Sequence, residues 1–148
     1  MSDSHPSVLL VDGNNIIHAW PNLLELHRRR KESARNELIK ILESLQDFSN
    51  HRVVVVFDGR GQKKTEERIP GSVQVIYSSS DASADSIIER LAAGYADKYR
   101  IIVATNDIPV QDAVVATGGE AVSSVALSDM VEQSDKDMTR WLEARRDK

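Results

Sequence analysis

The 148-residue sequence contains no cysteine, which excludes disulfides, zinc–thiolate sites and thiol catalysis. No apolar stretch approaches the length of a membrane span, so no membrane partner is expected. The opening Met1-Ser-Asp-Ser-His-Pro lacks the basic start and apolar run of a signal peptide, and the expected location is the cytoplasm. Internal repeats, low-complexity tracts and linkers are also missing. One domain is therefore expected over 1–148, with a helical tail from about residue 128. The four histidines are scattered, so only an oxygen-ligated metal has support. A net charge of −4 offers no bulk attraction for nucleic acid, and the distribution of charge matters more than its sum.

What is present reads as a soluble globular domain: 41% hydrophobic residues are broken into short runs, with 28% charged residues between them. Runs at 7–11, 52–57, 73–77 and 101–104 predict buried strands, and a weaker fifth lies at 121–125. Continuous β-branched runs without alternation suit a parallel sheet covered on both faces. Leu38, Ile39, Leu42 and Leu45 form a helical stripe within 32–48. Ile87, Ile88, Leu91 and Tyr95 form another within 84–99. Pro109 stands near the start of a short helix that Gly118 and Gly119 end. The polar tail over 128–146 predicts a helix broken near Ser134 and anchored by Trp141 and Leu142. The order β-α-β-β-α-β-α-β-α predicts an α/β three-layer sandwich with a mostly parallel central sheet.

Ligands of such sheets bind beyond the carboxyl ends of the strands. The first run ends in Val11-Asp12-Gly13-Asn14-Asn15, the second in Phe57-Asp58-Gly59 and the fourth in Ala104-Thr105-Asn106-Asp107. Asp85 opens a helix just after the loop 78–83, facing the same edge. A single aspartate there is equally well a cap or a turn residue. Four on one edge repel one another unless something neutralises them. Mg²⁺ or Mn²⁺, which prefer oxygen ligands, are the natural neutralisers. Carboxylate-held metal also meets the needs of phosphodiester hydrolysis: an activated water, neutralised charge and help for the leaving oxygen. Asp12 and Asp107 are then direct ligands, and Asp85 is a third ligand or positions the water. No organic cofactor is implied. Arg60, Lys63, Lys64 and Arg68 follow the Asp58 strand end and are placed to hold phosphates, with Glu66 and Glu67 offsetting part of their charge. The basic stretch 27–31 reads as a solvated helix end rather than a docking surface, and Trp20 as packing. His18 is a candidate beside the Asp12 loop, and Asp112 is an outer ligand or a cap. Gly13 and Gly59 are expected to permit tight turns.

The same residues carry a family resemblance. Leu9-Leu-Val-Asp-Gly-Asn-Asn-Ile-Ile17 resembles the opening Asp-Gly-x-Asn motif of NYN-domain proteins, specifically the YacP-like branch of the PIN-like nucleases. Val54-Val-Val-Phe-Asp-Gly59 is similar to that branch's second strand, Ala84-Asp-Ser-Ile-Ile-Glu89 to its helix start, and Val103-Ala-Thr-Asn-Asp107 to its later strand end. These motifs occur in the family's order over roughly three-quarters of the chain. The resemblance implies a PIN-like fold and an endoribonuclease using Mg²⁺ or Mn²⁺, in some members acting on RNA at the ribosome. Asp12, Asp85 and Asp107 would be the acidic core. Asn15 would orient Asp12 or touch substrate, Asn106 would join it as a substrate contact, and Asp58 would support the site or bind metal through water. Asn14 departs from the aromatic often found in the family, and no arginine stands near 121–125.

A phosphoacceptor receiver domain would need a paired acid at the first strand end and a lysine after the fifth; residues 120–129 contain no lysine. A haloacid-dehalogenase-type phosphatase would need Asp-x-Asp, and position 14 is Asn. The remaining alternative is a catalytically inactive RNA-binding or adaptor module on the same fold.

Overall fold

The computed structural model describes residues 6–59, 65–67 and 72–146, with backbone alone for 65–67. The candidate phosphate contacts Arg60, Lys63, Lys64 and Arg68 lie outside the described residues. The chain runs β1 (Ser7–Asp12), α1 (Gly13–Ala19), α2 (Pro21–Arg29), α3 (Lys31–Asp47), β2 (His51–Phe57), β3 (Thr65–Glu67), β4 (Gln74–Tyr77), α4 (Ala84–Tyr95), β5 (Arg100–Ala104), α5 (Ile108–Ala116), β6 (Glu120–Val122) and α6 (Ser124–Arg146). Among the described residues the sheet has the order β3-β4-β2-β1-β5-β6. β4, β2, β1, β5 and β6 are parallel, and only the short edge strand β3 runs antiparallel, against β4. This is the predicted α/β sandwich.

Alternation along the strands sorts the core into two halves. Leu9, Val11, Val53, Val55 and Phe57 pack with Ile16 and Ile17 of α1, Leu38, Leu42 and Leu45 of α3, and Leu127 of α6. Leu10, Val54 and Val56 pack on the other face with Ile87 and Ile88 of α4 and Val110 and Val114 of α5. Burying each large aliphatic side chain stabilises the fold by roughly 1.5–3 kcal/mol. Because both faces are covered, the strands read as unbroken apolar runs.

From β1 the chain moves through α1–α3 to β2 on one side. After β4 it returns through α4 to β5 on the other side of β1. Right-handed crossovers in opposite directions place the two helix groups on opposite faces. The connections reverse between β1 and β5, which makes that seam the switch point where a cleft opens.

Three sequence expectations are corrected. The stretch after Asp12 forms two helices, α1 and α2, with Pro21 in the first turn of α2. The fifth strand covers only Glu120–Val122, and Val125 already belongs to α6. α6 starts at Ser124 and runs unbroken to Arg146; Ser134 is buried and its hydroxyl donates to the Ser44 carbonyl at 3.3 Å, so it packs the helix against α3. The short helix at Pro109 is as predicted. It ends before Gly118, whose φ of 97° is the left-handed conformation that glycine adopts freely. Among the described residues no helix is long and apolar enough to cross a membrane.

Candidate active site

Side-chain alternation sets the direction of the first two acids. Asp12 continues the Leu10 face of β1, and Asp58 continues the Val54 and Val56 face just beyond β2, so both point toward the layer of α4 and α5. The contacts agree. Asp58 Oδ1 accepts the Ala84 N–H at 3.3 Å at the start of α4 and lies 3.5 Å from the Ser78 hydroxyl. Asp85 sits in the first turn of α4, but Ser83 caps that helix by accepting the Ser86 N–H at 3.1 Å. Asp107 caps α5 through Oδ1, which accepts the Val110 N–H at 3.2 Å. Asp12 precedes α1 without capping it; its Oδ2 accepts the Thr105 hydroxyl at 2.8 Å instead. Hydrogen bonding to helix N-termini therefore covers one oxygen each of Asp58 and Asp107 and leaves Asp12 unexplained.

Asp12 is only 4% exposed. Burial pushes its carboxyl up to about 6; the Thr105 hydrogen bond works against that rise, and the charges of Asp85, Asp58 and Asp107 add to it. Asp85 is also raised, by burial first and then by Asp107, Asp58 and Glu89. The four expected acids thus feel one another across the cleft, and Glu89, one turn along α4, joins them. The N-terminal ends of α4 and α5 favour negative charge there.

The cleft is braced by amides. Asn14 Oδ1 accepts the Asp58 N–H at 2.9 Å and ties the end of β1 to that of β2. Asn15 Oδ1 accepts the Asn106 N–H at 2.8 Å, so it steadies the loop after β5. The Asn106 side chain is engaged at both ends with Ser124, donating to its hydroxyl at 2.9 Å and accepting its N–H at 2.8 Å. Trp20 Nε1 donates to the Ser124 carbonyl at 3.1 Å, a packing role as expected. His18 is exposed, its Nδ1 lying 2.8 Å from the Asn14 carbonyl. Asp112 is exposed on α5. Gly13 and Gly59 do not use left-handed backbone; among the described residues only Gly118 does. Gly13 is needed for space: a Cβ there would meet the Phe57 ring at 2.5 Å and the Val56 carbonyl at 2.9 Å.

Two residues at this edge were not singled out from the sequence. Thr105 stood inside the strand-end motif, but nothing local marked its hydroxyl as the partner of an acid ninety-three positions earlier. Arg35, from α3, donates through Nη2 to the Asp58 carbonyl at 2.6 Å, and its guanidinium lies 5.4 Å from the Phe57 ring and 5.6 Å from the Tyr77 ring.

The donors at the acidic cleft are all oxygens, and their mutual repulsion suits a hard divalent cation. Among the described residues no three acidic or histidine side chains stand close enough to form a ready-made cage. A cation would therefore draw the carboxylates inward or keep water between itself and some of them, as Mg²⁺ commonly does.

The family model described as YacP-like NYN domain matches residues 9–148. The uncharacterized protein YacP of Bacillus subtilis (strain 168) is 36% identical over 139 residues, spanning 90% of this chain and 79% of that one. The crystal structure of Rae1 (YacP) from Bacillus subtilis matches with a TM-score of 0.77 at 34% identity, covering 93% of this chain and 80% of that one. A crystal structure of a point mutant of the same protein matches with a TM-score of 0.80 at 32% identity, covering 95% and 84%.

Proposed function

Because the chain belongs to the YacP-like NYN domain family, with its PIN-like nuclease fold, we propose that it is a metal-dependent endoribonuclease. It would hydrolyse RNA phosphodiester bonds with Mg²⁺ or Mn²⁺, in the cytoplasm, with RNA at the ribosome among its substrates. The observation that supports this most is Asp12, a buried carboxylate raised to about 6 beside three further acids at the switch point of the sheet. A structural role would rarely retain so unfavourable a charge.

Asp12, Asp85 and Asp107 would hold the metal, with Asp58 bound through water. The metal would supply charge neutralisation at phosphorus and an acidified water. Thr105 fixes Asp12 through Oδ2 and leaves Oδ1 free of hydrogen bonds from the described residues. Asp107 spends Oδ1 on its cap and keeps Oδ2 for the cleft. Asp85, in the first turn of α4 but not its cap, would complete the metal site as a third ligand or position the attacking water. Asn15 and Asn106 keep the loop carrying Asp107 in place and retain amide hydrogens for substrate. Arg60, Lys63, Lys64 and Arg68 would grip phosphates beyond Asp58. Replacing Lys63, Lys64 and Arg68 together should flatten the dependence of log affinity on log salt by about 0.7 per lost contact on single-stranded RNA.

A circular single-stranded RNA tests this reading, because it has no ends. With Mn²⁺ the full chain should convert circles to linear fragments. Intact circles beside degraded linear RNA would mean exonucleolytic action. Binding without cleavage of either would mean an RNA-binding or adaptor module.

A further inference from the structure

Arg35 occupies the same carboxyl edge as the acids but on the opposite face of the sheet, over Phe57. Its guanidinium has five donors and uses one, on the Asp58 carbonyl. Its Nε is buried with no partner, and it makes no ion pair with any described residue. A partly buried cation without a counter-anion is unfavourable unless something supplies the anion. The neighbours compound this. His18 and His27 meet edge to face at 4.8 Å, and His27 Nδ1 is likewise buried without a partner. Burial and the charges of His18, Lys31 and Arg35 hold the His27 imidazole below its ordinary range. Arg28, in the last turn of α2, and Arg30, between α2 and α3, are exposed. The Arg35 guanidinium lies 5.4 Å and 5.6 Å from the Phe57 and Tyr77 ring centroids, and its own planar fork matches an oxyanion.

We propose that Arg35, with His18, His27 and Lys31, forms a seat for an RNA phosphate beside the acidic cleft. The seat receives a phosphate flanking the scissile one and aligns the strand over the end of β1. It rests on the reading that RNA is the substrate. Residues 28–31, exposed around the end of α2, would lie on the approach to the seat.

The test uses a fluorescently labelled single-stranded RNA, chelator and a series of KCl concentrations, with full-length Asp12→Asn protein so that binding is read without cleavage. Adding Arg35→Met, which keeps apolar contact with the rings, should weaken binding roughly tenfold or more. It should also flatten the log–log salt dependence by about 0.7. Arg35→Lys should keep the salt slope yet lose most of that affinity, because a point charge cannot reproduce the fork. A folded Arg35→Met protein with unchanged affinity and slope overturns the seat. If Arg35→Met does not fold, unchanged affinity in Arg35→Lys overturns it. Wild-type cleavage with Mn²⁺ is scored separately. Cleavage with an unchanged slope removes the seat and keeps the nuclease, whereas a flattened slope without cleavage keeps the seat and removes the nuclease.

Discussion

The Thr105 hydroxyl donates to Asp12 Oδ2 at 2.8 Å across the seam between β5 and β1, and it accepts the Asp107 N–H at 3.1 Å. One hydroxyl thus holds an acid from each side of the switch point. Both Thr105 and Asp12 are buried. Thr105→Val should remove the bond that opposes the rise of the Asp12 carboxyl, so the acid limb of the pH–rate profile should move to higher pH. Stability should fall by roughly 1–3 kcal/mol, since a buried charged acceptor loses its partner. An acid limb that stays in place would detach Thr105 from the chemistry.

Asp12 also sets a pH dependence of stability in metal-free protein. Its folded value of about 6 lies above its ordinary 3.8. Its contribution is therefore fully present below about pH 4 and is lost as pH rises through 6. The loss amounts to about 3 kcal/mol at most. Asp85 shifts in the same direction. Asp12→Asn should raise the chelator-treated melting temperature at pH 7 and change it little at pH 4. Equal effects at both would mean that the carboxylate is not strained by its surroundings.

Gly13→Ala places a methyl group against the Phe57 ring and the Val56 carbonyl. Overpacking of this kind costs about 1–3 kcal/mol. It would also shift the backbone that carries Asp12. A lowered urea midpoint together with reduced cleavage is expected; an unchanged midpoint would show that the ring yields freely.

The fold was legible where one physical signal dominated. Strands buried on both faces had to be unbroken apolar runs, and Leu38, Leu42 and Leu45 had to face one side of a helix. α1 was hidden because it begins at Gly13-Asn14-Asn15, residues of low helix propensity; burial of Ile16 and Ile17 overrides that preference. The supposed break at Ser134 failed because a polar side chain can pack when its hydroxyl finds a carbonyl, here that of Ser44. Asp12, Asp58 and Asp107 could be placed on one edge because they fall where strands end, and Asp85 because it opens the helix after the loop 78–83. Arg35 was not, since it lies in the polar run 31–37 and its two rings come from different strands.

Metal should stabilise the chain by mass action as its concentration rises. Mn²⁺ should raise the melting temperature, and Asp12→Asn should remove most of that rise. Zn²⁺ should be a poorer activator because it favours nitrogen and sulfur ligands. Ca²⁺ should bind and support little cleavage, its coordination being longer and looser. A Mn²⁺ shift preserved in Asp12→Asn would place the metal elsewhere.

The most direct measurement is the cleavage rate of RNA by purified wild-type chain and by Asp12→Asn, each with Mn²⁺, then with excess chelator, then with Mn²⁺ restored. Wild type should cleave, stop on chelation and resume, while a folded Asp12→Asn protein stays inactive throughout. Cleavage that persists in chelator, or at the wild-type rate in Asp12→Asn, would contradict a metal-dependent site built on Asp12.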